Sequence, residues 1–297
     1  MATVSVCMLV YNHELYINEA IEGVLKQKTN FDIELVISND ASTDNSHKKI
    51  LAATQNLPIN ITLKYFNHKD NLGMIGNVEF SLKQCTGKYM AMCEGDDYWI
   101  DPFKLQRQVD FLDANPQYNL ITGNVRQYIQ NTNSFIEPTK AVDFTFDYRD
   151  MIVNNQCSTC TTLIRNFVLR EPNFKLIPYR GSDSQLWIRA LGKKGKGKFT
   201  PHTFAVYRRH ETSSTGIRNA REDSFKESDA FMQRKIAKAE FWNKYFGNES
   251  KKSVLLVKLN IYKKMIKMGF NSRKYFYCIA TFLKLIKVKT ELLVYGY

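Results

Sequence analysis

The sequence predicts an α/β fold, a doubly wound and mainly parallel sheet with helices on both faces, followed by a helical extension. Three features predict it. Strand-like and helix-like runs alternate four times up to Leu112, and the first strand is a continuous apolar, β-branched run of the kind covered on both faces. Beyond Ile217 the strand-like runs give way to lysine-rich helical periodicity.

Taken in order, VSVCMLV (residues 4–10) is the first strand, and Ile17, Ala20, Ile21, Val24 and Leu25 keep helical spacing after it. A second strand, Ile33 to Ser38, enters the polar turn NDASTDNS and a helix from about Ser46. The third strand, Ile61 to Phe66, precedes a glycine-containing loop and a helix over about residues 75–83. The fourth, Tyr89 to Cys93, runs into Glu94-Gly95-Asp96-Asp97-Tyr98-Trp99. The next helix has Asp101 as cap, Pro102 at its first position and Leu105, Val109 and Leu112 on one face. Strand–helix units of this kind cross over right-handed and place ligands at the carboxyl ends of the strands. The loops after strands one, two and four should therefore meet at one edge. Farther on, residues 118–125, 160–165 and 203–207 read as strands, and Ser182 begins a helix bearing Leu186, Trp187, Ala190 and Leu191. Residues 127–150 show no usable period.

Composition narrows the class. With 297 residues and 44% hydrophobic content, the chain can bury one substantial core, or one core and an appendage. The six cysteines are scattered, several inside apolar runs, which suits free thiols in a reducing compartment. Cys157 and Cys160 form a single Cys-x-x-Cys with no second pair, a pattern that argues against zinc. The amino terminus shows no secretory pattern, and no run reaches the roughly 20 apolar residues of a membrane span. A cytoplasmic protein is expected.

The formal net charge of +13 is unevenly spread: from Arg218 to the end there are 18 Lys+Arg against 7 Asp+Glu, a net of +11. The tail, with helical patterns over residues 225–246, 253–268 and 275–288, thus carries the basicity. It reads either as helices with a solvated basic face or as an attachment to anionic lipid.

Three acids in four residues, Glu94, Asp96 and Asp97, repel one another at a strand's carboxyl end, where a compensating cation is expected. Oxygen ligands point to Mg2+ or Mn2+, held together with a phosphate. An exposed acidic turn is the plainer reading, but Tyr98 and Trp99 are bulkier than such a turn requires. Gly192 to Lys198 spaces its glycines as a P-loop would, yet Phe199 stands where Ser or Thr must ligate magnesium, so the run is read as a basic turn.

The run CEGDDYWIDPFKLQRQVDFL (residues 93–112) resembles the metal-binding segment of family 2 glycosyltransferases with the GT-A fold, particularly bacterial enzymes that build surface polysaccharides such as capsule or lipopolysaccharide. The resemblance covers about residues 4–214 and implies a glycosyltransferase, of hexosyltransferase type, that inverts and depends on a metal. On that resemblance Asp97 holds Mn2+ or Mg2+ with Asp96 beside it at the nucleotide. Asp40 accepts the N3 proton of uracil, and Tyr11, Asn12, Glu14 and Asn39 border the nucleotide. Asn39 and Ala41 depart from the commoner Asp-Asp-Gly-Ser form. HKDNLGMIGNVEFSL resembles the Asn-x-Gly loop and helix, with Asn71, Gly73 and Asn77 matching. Asp183, just before a Leu-Trp pair, takes the place of the catalytic base, against its plain reading as a helix-start acid. Tyr207 to Ser214 resembles a late motif in which Arg208 and Arg209 face the diphosphate and His210 is a metal ligand.

The implied organisation is a GT-A domain over 1–217 (donor half about 1–115, acceptor half about 116–217) and a basic helical region over 218–297. The implied partners are a nucleotide-sugar donor, a UDP-sugar by preference with TDP also compatible, and a glycan or lipid-linked acceptor. Localisation is cytoplasmic, with peripheral contact at the inner face of the membrane through the tail. Three rivals stand beside this reading. A nucleotidyltransferase would carry a glycine- and base-rich phosphate loop near the first strand, and VYNHELYI has none. A nucleic-acid binder is suggested by pI ≈ 9.3, but the acid cluster would repel phosphate, and no nucleic-acid partner is expected. The third is an inactive relative serving as a scaffold.

Overall fold

The structure is a computed structural model, and it describes residues 3–169, 171, 173–176, 182–211, 213 and 225–296. The expectations on Thr212 and Ser214 lie outside those residues. The chain divides into two compact units, Met1–Asp147 with Gln156–Arg209, and Tyr148–Asn155 with His210–Tyr297.

The first unit is a mixed, mostly parallel sheet with helices packed on it. β1 (Val4–Val10), α1 (Ile17–Leu25), β2 (Ile33–Asn39), α2 (Ser46–Ala53), β3 (Ile61–Asn67), α3 (Gly73–Gln84) and β4 (Tyr89–Met92) supply four parallel strands in the order β3-β2-β1-β4. β2 and β4 are buried throughout, and β1 at all but one position, as their near-continuous apolar letters require. Ile17, Ala20, Ile21 and Val24 of α1 share one core with Val6 and Met8 of β1 and Leu35 and Ile37 of β2, since the apolar stripe of a helix must be buried against another element.

The remaining elements are β5 (Tyr98–Trp99), α4 (Lys104–Ala114), β6 (Tyr118–Ile129), β7 (Ser134–Ile136), β8 (Phe144–Phe146), α5 (Tyr148–Val153), β9 (Leu163–Arg165), α6 (Ser182–Leu191) and β10 (Lys196–Arg209). Here the order continues β4-β9-β6-β10-β5, with β7 on β6 and β8 on β10. β9 runs antiparallel to both β4 and β6, while β6 and β10 are parallel. The expected fold class is therefore present, but its second half is antiparallel in part.

Several boundaries differ from expectation for local reasons. α4 starts at Lys104 rather than Pro102, because Asp101 spends its carboxylate on the Phe103 N–H (2.8 Å) and its carbonyl on the Lys104 N–H (3.2 Å), closing a turn first. β10 begins at Lys196, so part of the basic turn is strand. A Cβ on Gly197 would stand 2.5 Å from the Phe146 ring, so this glycine admits β8 rather than a phosphate. β5 is not legible in the letters: two residues pair with Ala205 and Val206 of β10, and the Trp99 indole N–H donates to the Cys160 carbonyl at 2.7 Å.

One buried carboxylate ties the parallel strands together. Glu34 on β2 accepts hydrogen bonds from Ser5 on β1, from Thr86 just before β4 (N–H, 2.9 Å; hydroxyl, 2.8 Å) and from Lys64 on β3. Burial pushes its pKa up, but these donors outweigh burial and hold it below the usual carboxylate value.

The second unit is helical: α5, α7 (Phe225–Tyr245), α8 (Lys251–Asn271) and α9 (Tyr275–Leu293). One core joins Ile236 and Ala239 to Val254, Val257, Ile261 and Met265, and another joins Leu255 and Leu259 to Leu285, Val288 and Leu292. No helix is long and apolar enough to cross a membrane, among the described residues.

Glu34→Ala removes one partner of a buried pair, which costs about 3–5 kcal/mol. Because Lys64 is partly exposed, a loss near about 3 kcal/mol is expected in urea denaturation at pH 7. The wild-type advantage is present above the unfolded carboxyl pKa and fades as pH falls through the lower folded value. Equal stability of the two chains at pH 7 would remove Glu34 from this role.

Candidate active site

The loops after β1, β2 and β4 lie at the carboxyl edge of the parallel strands. The first two are stitched together. The Asn12 N–H donates to the Ser42 hydroxyl (2.9 Å), and Asn12 Oδ1 accepts the Thr43 N–H (2.8 Å), with Asn12 held at a positive φ of 56°. Glu14 accepts two hydrogen bonds from Asn45 (2.8 and 2.9 Å), and its own N–H donates to Asp44. Asp44 also accepts the Ser46 N–H (2.9 Å) at the start of α2. Asn12 and Glu14 are thus engaged with the neighbouring loop, while Tyr11 is exposed beside them.

At the end of β2, Asn39 is buried and donates to Asn67 on β3 (2.7 Å), while its oxygen accepts from Ser42 in a close contact. Asp40 is buried too. Its Oδ1 accepts the Leu72 N–H at 2.6 Å, and its carbonyl accepts from Asn71 (3.0 Å). The second carboxylate oxygen of Asp40 has no partner among the described residues. Asn71 also accepts the Gly73 N–H (2.9 Å), and Asn77 exchanges hydrogen bonds with Ser38 (2.6 and 3.3 Å), so this loop is pinned to β2 by its own amides.

The acid turn follows β4. Gly95 sits where no side chain fits: a Cβ would lie 2.8 Å from His13 Nδ1 and 3.1 Å from both Ile17 and Val10. Its N–H donates to the Leu9 carbonyl (2.9 Å), which presses the turn against the β1 loop. Asp97, 1% exposed, accepts the Arg208 N–H through Oδ1 (2.9 Å), whereas Oδ2 is buried with no hydrogen-bond partner among the described residues. Burial first, and then the charges of Asp96 and Glu94, push the Asp97 carboxyl well above its ordinary value. Glu94 is pushed up to about 8 by burial, by Asp96 and by Asp183. Asp183, in the first turn of α6, is therefore brought within electrostatic reach of Glu94 although the two are far apart in the chain. His13 Nε2 stands 4.0 Å from Asp96.

Arg208 holds the turn from β10. Its Nε donates to the Asp96 carbonyl (3.0 Å), its Nη2 pairs closely with Glu19 of α1, and its guanidinium lies 4.9–5.4 Å from the rings of Tyr16, Tyr98 and Tyr128. The expectation that Arg208 faces a diphosphate meets a guanidinium already engaged by an acid and three rings. Arg209 is half-buried next to it. His210 is buried in the second unit, its carbonyl accepting from Ser213. Lys104, fully buried, donates to Gln108 (2.9 Å) and lies 4.2 Å from the Trp99 ring; burial lowers its pKa to about 7.

Sequence reasoning does not single out Gly95, Glu19, His13 or Lys104. Gly95 carries a signal, since a glycine among three acids has no charge to contribute and so marks a steric need. The other three carry none, because their partners are remote in the chain.

The model of glycosyl transferase family 2 matches residues 5–171, more than half of the chain. The chain belongs to that family. A protein of Mycobacterium tuberculosis with no assigned function is 33% identical over 212 residues, covering 69% of this chain and 58% of that protein. This family 2 chain therefore spans less than two thirds of the length of its mycobacterial relatives. WfgD of Escherichia coli, a β-1,3-glucosyltransferase that uses UDP-Glc and GlcNAc-diphosphoundecaprenol, is 28% identical over 192 residues, 63% of this chain and 69% of WfgD. Among solved structures, residues 1–349 of S. aureus TarS in complex with UDP align over 99% of this chain and 92% of that one, with 15% identity and a TM-score of 0.59. The mannosyltransferase PcManGT of Pyrobaculum calidifontis, in complex with GDP-Man and Mn2+, gives 14% identity and a TM-score of 0.56 over 96% and 87% of the two chains. These two likenesses are of fold.

Gly95→Ala forces a methyl into the His13, Ile17 and Val10 contacts, and overpacking of this kind costs about 1–3 kcal/mol. Thermal unfolding should show a lowered midpoint, and the Asp96–Asp97 turn should move off the β1 loop. An unchanged midpoint would show that the seat is looser than these distances imply.

Proposed function

We propose that the chain is an inverting, metal-dependent glycosyltransferase that moves a sugar from a nucleotide-diphosphate donor, a UDP-sugar, to a hydroxyl of a glycan or lipid-linked acceptor in surface polysaccharide assembly. The observation that carries the proposal is that Asp183 comes within electrostatic reach of Glu94, in the same acid turn as the buried Asp97. The names of WfgD and of the minor teichoic acid biosynthesis protein GgaB of Bacillus subtilis, 25% identical over 224 residues, support a surface-glycan role.

The donor set fits a divalent cation. Asp97 Oδ2 is a buried carboxylate oxygen with no hydrogen-bond partner among the described residues, next to Asp96, and hard oxygen ligands suit Mg2+ or Mn2+. No three His, Cys, Asp or Glu side chains among the described residues form a complete metal site, so diphosphate oxygens would share the coordination. When bound, such an ion stabilises charge on a departing diphosphate. For His210 as a further ligand, only the resemblance speaks.

The protein's own groups then have separate tasks. Asp183 takes the proton of the acceptor hydroxyl as that oxygen forms its bond to the anomeric carbon and the bond from that carbon to the diphosphate oxygen breaks. Asp40 offers its second oxygen to the N3–H of uracil, with thymine compatible. Asn39, Asn71 and Asn77 keep the β2 edge in register beneath it. Arg209 is the cation assigned to the diphosphate, and Arg208 keeps the acid turn against β10.

Asp183→Asn should lower transfer from UDP-sugars by about 10²–10⁴-fold, the usual share of a general base, while calorimetric binding of UDP stays unchanged. Retained turnover would reject Asp183 as base. In the wild type, UDP should bind in the presence of Mn2+ and not in its absence, ahead of GDP and ADP. Binding of none of these nucleotides in either condition would overturn the donor site.

A further inference from the structure

The last helix presents two apolar faces, and only one of them is packed on its neighbours. Cys278, Thr281, Leu285, Val288 and Leu292 of α9 are buried, and Leu285, Val288 and Leu292 pack on Leu255 and Leu259 of α8. Tyr277 adds a close hydrogen bond to Asp229 of α7, so α9 is docked in one rotation. At about 100° per residue, Tyr275, Ile279, Phe282, Ile286 and Leu293 fall within roughly 60° of one another, on a face centred roughly 110° round the helix from the buried one. All five are exposed, and Phe276 (90%) and Leu283 (63%) widen the stripe along one side. Phe270, at the end of α8, is exposed too and meets Tyr275 edge to face, extending the stripe beyond the helix.

Scattered exposed apolar residues are ordinary, but a stripe that runs unbroken from Tyr275 to Ile286 and resumes at Leu293, past Lys289 and Thr290, is not. Its flanks narrow the choice of partner. Lys289 borders one edge, Lys287 and then Lys284 the other, and all three are exposed. From Lys251 to Tyr297 there are 11 Lys+Arg and a single acid, Glu291. A second copy of this face would set lysine rows against each other, which costs energy, whereas an anionic surface neutralises them. Aromatic and aliphatic side chains between rows of lysine match the depth profile of a lipid interface, with rings among the acyl chains and ammonium groups at the headgroups.

We propose that the exposed stripe of α9, from Phe270 and Tyr275 to Leu293, is a membrane-docking face that inserts into the interfacial layer of an anionic bilayer, with Lys284, Lys287 and Lys289 contacting the acidic headgroups. The docking does not depend on the glycosyltransferase reading. A protein held in this way would work on substrates presented at a membrane surface.

The test is flotation of the full-length chain with vesicles of phosphatidylcholine alone and with phosphatidylglycerol added. Binding is expected with the anionic vesicles only, and added salt should weaken it. Replacing the three lysines (K284A, K287A, K289A) should lower the partition coefficient about a hundredfold, at about fivefold per lysine. F276S with I279S should lower it by about tenfold or more. Circular dichroism and UDP titration of the same variants, both expected to match wild type, separate lost docking from lost folding and from any failure of the donor site. Equal flotation with both vesicle types, or none with either, would overturn the proposal. So would a concentration-dependent dimer that F276S/I279S dissolves in the absence of vesicle binding.

Discussion

A buried carboxylate with too few donors governs the arrangement of the first unit. Asp97 follows β4 with one oxygen on the backbone of Arg208 and the other without a hydrogen-bond partner among the described residues, while Asp96 and Glu94 add like charge nearby. Desolvation disfavours its charged form, and among the described residues no side-chain cation supplies a direct hydrogen bond. The architecture that keeps it there is extensive: Gly95 lets the turn lie against β1, β5 clips it to β10, and Arg208 is itself locked by Glu19 and three tyrosine rings. Under the proposed function, a bound cation would favour the ionised form that burial disfavours here.

The two halves of the sheet divide the work. The parallel half delivers three loops to one edge and holds them there through Glu34, which reaches β1, β3 and the segment before β4. The half containing β6, β9 and β10 brings Arg208 and Asp183 toward that edge from residues far along the chain. Many of the polar side chains nearby bind the protein itself. Asn12, Glu14, Asn39 and Asn77 all spend hydrogen bonds on neighbouring loops or strands, which preorganises the edge.

The second unit shows the opposite balance of charge and exposure. Its helices bury their leucines and valines against one another, yet α9 leaves a second apolar stripe in solvent between lysines. Burial of one face is enough to hold the helix, so the other face is available for a different purpose. The basic excess of the whole chain falls within residues 218–297, the part of the sequence that carries this stripe.

Alternation of strand and helix, the buried parallel strands and the acid-bearing loops were legible from the letters, because side-chain period and apolar runs are local properties and parallel sheets place loop residues at a known edge. The Glu-Gly-Asp-Asp turn could be singled out in the same way, whereas Asp40 and Asp183 were singled out only by resemblance to the family's motifs. Tertiary structure alone decided that β9 runs antiparallel between β4 and β6, that a two-residue strand fastens the acid turn, and that Arg208 faces Glu19. Each depends on partners remote in the chain, and pairing at a distance leaves no period in either segment. The exposed stripe of α9 belongs to both: its letters are apolar on most sides, but only packing against α8 determined which side stayed in water.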